Sequence, residues 1–247
     1  MMKTTAFLIV LSLTGAMLPA PAMAQEPVPE IQPQTRPHRN FAKQVLKDEQ
    51  HLLASPLHIK RSDVKWLLPL GAGAAALLAT DSKVAEAARN AEGIRPASRL
   101  LSEFGGRAPM AIAVGSFFGL GKLTHNEKAA ETGKLAAEAI LHTQLITEGM
   151  KMMFNRERPD KINGDGGFWD GGRSFPSGHA ATSFAFATVV ANKYKDHKLA
   201  VVGAYGLATA ISLSRVGGLN HHPSDVLIGA VVGHLIGRYI LHRPAEN

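Results

Sequence analysis

Six apolar segments constrain the fold of this chain more than anything else in it. They lie at 66–80, 108–121, 135–154, 180–194, 199–214 and 226–241, are rich in Ala and Leu, and end in Gly or charge. Runs of that length are too long for ordinary strands and suit helices. No stretch alternates apolar and polar residues as a sheet would need, and no internal repeat is visible. Ahead of them, "FAKQVLKDEQHLLAS" reads as an amphipathic helix within 38–61. The expected fold class is all-α: a helical bundle of about six core helices over 62–243. A composition of 45% hydrophobic and 19% charged residues fits one sizeable core and not a disordered or fibrous chain.

Residues 1–24 are a separate object. Lys3 supplies a positive start, "AFLIVLSLTGAML" an apolar stretch, and "PAPAMA" a small-residue ending with Ala22 and Ala24 suitably spaced. The pattern predicts a signal peptide cleaved before Gln25, with an uncleaved anchor as the alternative; either delivers the next residues outside the cytoplasm. "QEPVPEIQPQTRP", residues 25–37, reads as a Pro-rich linker. The chain has no cysteine, which rules out disulfides, thiol chemistry and a Cys-ligated metal. Its formal net charge of +7 suits an anionic substrate or a phospholipid surface. The positive charges form no single basic block, so nucleic acid is not an expected partner.

Three short stretches carry the polar chemistry. In "KMMFNRERP", Lys151 and Arg158 are seven residues apart, nearly one helical face, and Pro159 turns the chain away at Arg158. Two long cations can then converge on one anion, although a basic pair at a helix C-terminus also serves the dipole alone. In "RSFPSGHAATSFAFATVVA", Pro176-Ser177-Gly178 leads into a helix starting near His179. Free amides at such a start, with a glycine for close approach, form an anion site; Ser177 either donates its hydroxyl or acts merely as the cap. In "LSRVGGLNHHPSDVLIG", Arg215 ends one helix and Pro223 opens the next, with His221 just before it and Asp225 in its first turn. A carboxylate there is favourable for dipole reasons alone, and His221 taken singly would be a loop histidine.

The combination says more than its parts. The spacings K-x6-R-P, P-S-G-H and S-R-x5-H-x3-D occur in order, each where a loop meets an apolar helix. This resembles the three-part signature of the type 2 phosphatidic acid phosphatase superfamily, which includes bacterial acid phosphatases, lipid phosphatases and vanadium haloperoxidases. The signature positions are Lys151, Arg158, Pro159, Pro176, Ser177, Gly178, His179, Ser214, Arg215, His221 and Asp225. The resemblance implies a metal-independent phosphatase without a cofactor, acting on phosphate monoesters, either a membrane lipid phosphate or a small soluble ester. It implies His221 as nucleophile, His179 as proton donor to the leaving oxygen, and Asp225 as hydrogen-bond acceptor for His221. Lys151, Arg158, Arg215, Ser177 and the Gly178 amide would bind the phosphate. A vanadate-dependent haloperoxidase and a non-catalytic anion-binding envelope protein are the alternatives.

Whether the helices cross a bilayer is left open by length. "LAVVGAYGLATAISLS" falls short of about 20 residues. "VLIGAVVGHLIGRYIL" is interrupted by His234 and Arg238, and 135–154 carries Glu138, His142, Glu148 and Lys151. If residues 25–60 lie outside, an outward-facing site needs an even number of crossings before Lys151, yet three candidate segments precede it. That parity favours an exported periplasmic domain, soluble or lying on a membrane, over an integral one. Asp160, Asp165 and Asp170 do not have the spacing of a calcium loop and predict a Gly-rich loop near the site, with Phe168 and Trp169 either touching substrate or packing. His222 reads as a site neighbour or a cap, while His142 and His234 read as packed or paired.

Overall fold

The computed structural model describes residues 41–161 and 166–243. The expected signal peptide, the Pro-rich linker and Asp165 lie outside the described residues. The helices run in order α1 (Phe41–Ala54), α2 (Val64–Asn90), α3 (Arg95–Phe104), α4 (Arg107–Leu123), α5 (Glu127–Phe154), α6 (Gly178–Lys193), α7 (Lys198–Gly217) and α8 (Pro223–His242). Short 3-10 turns at Ser55–His58, Arg61–Asp63 and Glu92–Ile94 join the first of them. Among the described residues there is no strand, and each of the six apolar segments coincides with a helix, Tyr194 forming the C-cap of its own.

Helix α3 was not expected. "RPASRLLSEF" has too few apolar residues to stand out, but proline in its first turn presets the helical φ. Its buried face is Ser98, Ser102 and Phe104, and Phe104 joins Met110, Ala113 and Ile211 in one core cluster.

Helix α6 sits at the centre, packed against α5, α7 and α8. Small residues let these helices approach closely: Ala136, Ala139 and Ala185 pack with Val189, Ile236 and Ile240. The tightest seam is between α6 and α8. Gly229, Gly233 and Gly237 recur every fourth residue of α8 and so share one face. A β-carbon built on Gly233 would lie 1.9 Å from the Ala181 carbonyl oxygen, and one on Gly229 2.5 Å from that of Ser177. Only a bare Cα fits there.

The polar load of α5 is paired. His142 lies 2.7 Å from Glu49 of α1, and Arg243 pairs with both Glu138 and Asp48. Tyr239 donates to Asp48 at 2.9 Å, so α1 is fastened to α5 and to the end of α8 by side chains. His234 also conforms, with Nδ1 3.0 Å from Thr188 Oγ1 and 3.2 Å from Tyr205 Oη.

Helix α2 is different. It is about 40 Å long, and no described side chain from Val64 to Thr80 is buried. Trp66 and Leu68 are 71% and 68% exposed. Burial begins at Asp81, followed by Ala85 and Ala88, where the helix meets α8.

Candidate active site

Helices α5 to α8 alternate in direction, so the end of α5, the start of α6, the end of α7 and the start of α8 gather at one end of the bundle. All three sequence stretches therefore meet there. Backbone bonds fasten them: Ser177 N donates to Asp225 O at 3.0 Å, and His221 N donates to Arg215 O at 3.2 Å.

The α5 end departs from expectation. The helix stops at Phe154, four residues before Arg158, because Asn155 takes a left-handed conformation at φ 40° and caps it. Lys151 is thus helical and Arg158 lies in the strap beyond, so the two do not share a helix face. The strap folds back on the segment before α6: Glu157 N donates to Gly167 O at 2.9 Å, and Ser174 N to Arg156 O at 2.9 Å. Proline at 159 did restrict Arg158, but asparagine acted first.

Ser177 is the N-cap of α6; its Oγ accepts from Ala180 N at 3.5 Å. Lys151 reaches this turn, its Nζ only 3.2 Å from where a β-carbon on Gly178 would sit. Glycine keeps that approach open. Glu148, one turn before Lys151, holds the same ammonium at 2.8 Å and also pairs with Arg173. Arg215 is steadied by donating to Ser102 Oγ, which gives the unexpected helix α3 a role beside the site. The α3–α4 corner closes the wall: a β-carbon on Gly105 would lie 3.0 Å from His179 Cδ2.

His221 is 3% exposed and its Nδ1 lies 2.7 Å from the Ser174 carbonyl oxygen. A carbonyl only accepts, so Nδ1 carries the hydrogen and Nε2 keeps its lone pair. Asp225 Oδ2 is further from the same nitrogen, at 3.7 Å. Ser174 stands between them: its hydroxyl donates to Asp225 Oδ2 at 2.5 Å while its carbonyl takes the His221 hydrogen. The contact expected directly from Asp225 is thus shared with a serine that no sequence motif singles out.

Burial pushes the His221 pKa below its ordinary value; Asp225 opposes this, and Arg215 and Arg158 add to it. His179 is pushed down to about 3, first by burial, then by Arg215, His221, Lys151 and Arg158. Both imidazoles are therefore neutral in the empty site near neutral pH. Lys151, Arg158 and Arg215 thus all lie near enough to the His179 ring for their charges to act on it.

Three buried groups are not legible in the sequence motifs. Ser174 is one. Arg156, 2% exposed, lies between Lys151 and Arg158 but turns inward, donating to Asp225 Oδ1 at 2.5 Å. Asp81, from α2, accepts from Arg156 at 2.7 Å and from Ser224 N at 3.1 Å. A lone carboxylate following a mostly apolar run was the available signal for Asp81; for Arg156 nothing in the local pattern distinguishes it from Arg158. Phe168 proves to be a packing residue, its ring stacked edge-on to Phe154 and Phe175 and 4.7 Å from the Arg156 guanidinium. Trp169 is exposed, and His222 is the buried N-cap residue of α8.

Residues 133–247 match the model of the PAP2 superfamily. The match covers a little under half of the chain. It contains every signature residue of the site. Over 88 residues the chain is 39% identical to a lipid A 1-phosphatase of Porphyromonas gingivalis, covering 35% of this chain and 18% of that relative's length. The transmembrane PAP2 type phosphatidylglycerolphosphate phosphatase of Bacillus subtilis aligns structurally over 96% of this chain and 93% of its own, with 19% identity and a TM-score of 0.44.

Proposed function

We propose that the chain is a metal-independent phosphatase that hydrolyses phosphate monoesters through a phosphohistidine on His221. The observation carrying this reading is the buried His221 ring, whose Nδ1 is committed to the Ser174 carbonyl and whose Nε2 is left as a lone pair. Nε2 attacks phosphorus and the bond to the leaving oxygen breaks. His179 gives that oxygen its proton; it then takes a proton from the water that attacks phosphorus and breaks the N–P bond. Lys151, Arg158 and Arg215 hold the phosphate oxygens, with Ser177 and the Gly178 amide at the start of α6 completing the cradle. Asp225 stabilises the ring as positive charge grows on it.

His179 must be protonated to serve as acid, yet is neutral in the empty site. A bound phosphate dianion supplies the missing charge balance and favours imidazolium. Binding of sulfate, which unlike orthophosphate is already a dianion at pH 6, is therefore expected to take up close to one proton per site, read by titration calorimetry in buffers of different ionisation enthalpy. Binding without proton uptake, or with release, contradicts the role given to His179. The same linkage sets the acid behaviour of the empty protein. Because the folded His179 pKa lies below the ordinary 6.5, the unfolded chain binds more protons between 6.5 and about 3, and stability falls as pH drops through that window.

The substrate we propose is a phosphate carried on a lipid. The uncovered apolar length of α2, from Val64 to Thr80, is a surface that a bilayer would cover. Helices α7 and α8 are long and apolar enough to cross one. The match to a lipid A 1-phosphatase supports the same reading. An exported chain associated with the membrane, its site at the outer surface, fits these features better than a fully soluble one.

The test is a panel of phosphatidate, prenyl diphosphate, lipid A and a soluble aryl phosphate, assayed with excess chelator. Chelator-resistant phosphate release is expected, fastest on a lipid. Loss of activity with chelator overturns metal independence, and preference for the aryl ester overturns the lipid. Bromide oxidation by peroxide after adding vanadate, with no phosphate release, would favour a haloperoxidase.

A further inference from the structure

Arg156 sits within the phosphatase site but binds no substrate in the proposed reaction. Its Nε donates to Gly166 O at 2.9 Å; Nη1 donates to Ser224 Oγ at 2.7 Å and to Asp225 Oδ1 at 2.5 Å; Nη2 donates to Asp81 Oδ2 at 2.7 Å. With these bonds made and its guanidinium carbon 4.7 Å from the Phe168 ring centroid, the group is fixed in place. Asp81 also accepts from Ser224 N and Oγ, so it caps the first turn of α8 from another helix. The charges alternate inward from α2: Asp81 negative, Arg156 positive, Asp225 negative, then Ser174 and the His221 ring.

We propose that Arg156, anchored by Asp81, is a positioning residue that orients the Asp225 carboxylate behind His221 and sets how much negative charge that ring feels. The proposal rests on the phosphatase reading. Its physical reason lies in the carboxylate's two oxygens. Arg156 takes Oδ1, and Ser174 Oγ and His222 N take Oδ2, so Asp225 has no freedom to rotate towards or away from Nδ1. Arg156 also offsets its charge. The other charged groups facing His221 are Arg215 at the end of α7 and Arg158 on the strap after α5, both of which oppose imidazolium; His179 on α6 is titratable and would oppose it only when protonated.

Opposite substitutions then have opposite consequences. Arg156→Met leaves the charge on Asp225 uncompensated, which favours the imidazolium of His221. If Asp225 instead takes up a proton, turnover waits for its loss. Either way the acid limb of kcat/KM moves to higher pH, by about one unit. Asp81→Asn removes a negative charge that shares Arg156, so Asp225 is offset more fully and the limb moves to lower pH, by about half a unit. Arg156→Lys keeps the charge but cannot meet all four acceptors; the limb returns toward the wild-type position while kcat stays lower.

The experiment measures kcat, KM and the acid limb for the full-length wild type, Arg156→Met, Arg156→Lys and Asp81→Asn, with His221→Ala as control. A titration of the His221 ring by NMR on 15N-histidine protein runs alongside. Arg156→Met is expected to lower kcat roughly 100-fold with KM changed little. A rise in KM at unchanged kcat would make Arg156 a phosphate ligand, and lower kcat with an unmoved limb would make it structural only; both overturn the proposal. Should Arg156→Met fail to fold, the nearly isosteric Asp81→Asn decides, since a limb that stays or rises overturns it. If wild type releases no phosphate, the phosphatase reading fails, and the ring titration still reports whether Arg156 and Asp81 govern His221.

Discussion

His221→Ala is expected to fold and to release phosphate slower than wild type by roughly 10⁴-fold or more. The side chain supplies the only proposed bond to phosphorus, so no partial contribution remains once it is gone. What survives is the cradle of Lys151, Arg158, Arg215 and the α6 start, and the variant should still bind orthophosphate. Structurally the loss is small. The ring makes one short bond, to Ser174 O, whose removal costs about 1 kcal/mol. Single-turnover release together with phosphate binding separates these effects: undiminished release excludes the phosphohistidine, while lost binding with lost release would signal a collapsed site. Trapping a 32P-labelled wild-type protein that the variant fails to give would identify the intermediate directly.

The largest stability effect is expected at Gly233. In Gly233→Leu the first carbon already lies 1.9 Å from the Ala181 carbonyl oxygen, and no rotamer relieves a contact with backbone. Helices α6 and α8 must separate, at a cost of about 3 kcal/mol or more. Activity should fall with stability, because the same seam holds Ser177 N to Asp225 O and so fixes His179 relative to His221. Gly206→Ala is the internal control. Nothing lies within 4 Å of a β-carbon there, and a helical Gly→Ala change should stabilise by about 0.5–1 kcal/mol. The midpoint of thermal unfolding in detergent checks both, and equal midpoints for the two variants would refute the close-packed seam.

The helices were legible in the sequence because their apolar runs are long and end in Gly or charge, and that alone pointed to the all-α class. The ends were less legible. Asn155 stops α5 by adopting a left-handed backbone, a choice asparagine permits but its neighbours do not announce. Helix α3 was missed because two of its three buried side chains are serines, and burial of serine leaves no trace in a hydropathy pattern. At the site, Lys151, His179, Arg215, His221 and Asp225 could be picked out because their spacing matches a signature. Arg156 and Asp81 could not, since Arg156 bonds to partners 69 and 75 positions away and no local periodicity encodes such a pairing. Ser174 acts through its carbonyl as well as its hydroxyl, and a main-chain oxygen has no letter in a sequence.

The seam between Ser177 and Asp225 also makes the site a joint property of two helices that are distant in the chain. Lys151, Arg158, Ser177, Gly178 and Arg215 all precede α8 in the chain, whereas His221 and Asp225 stand at its start. The two sets are brought together only where α8 packs on α6, so whatever loosens that seam separates them.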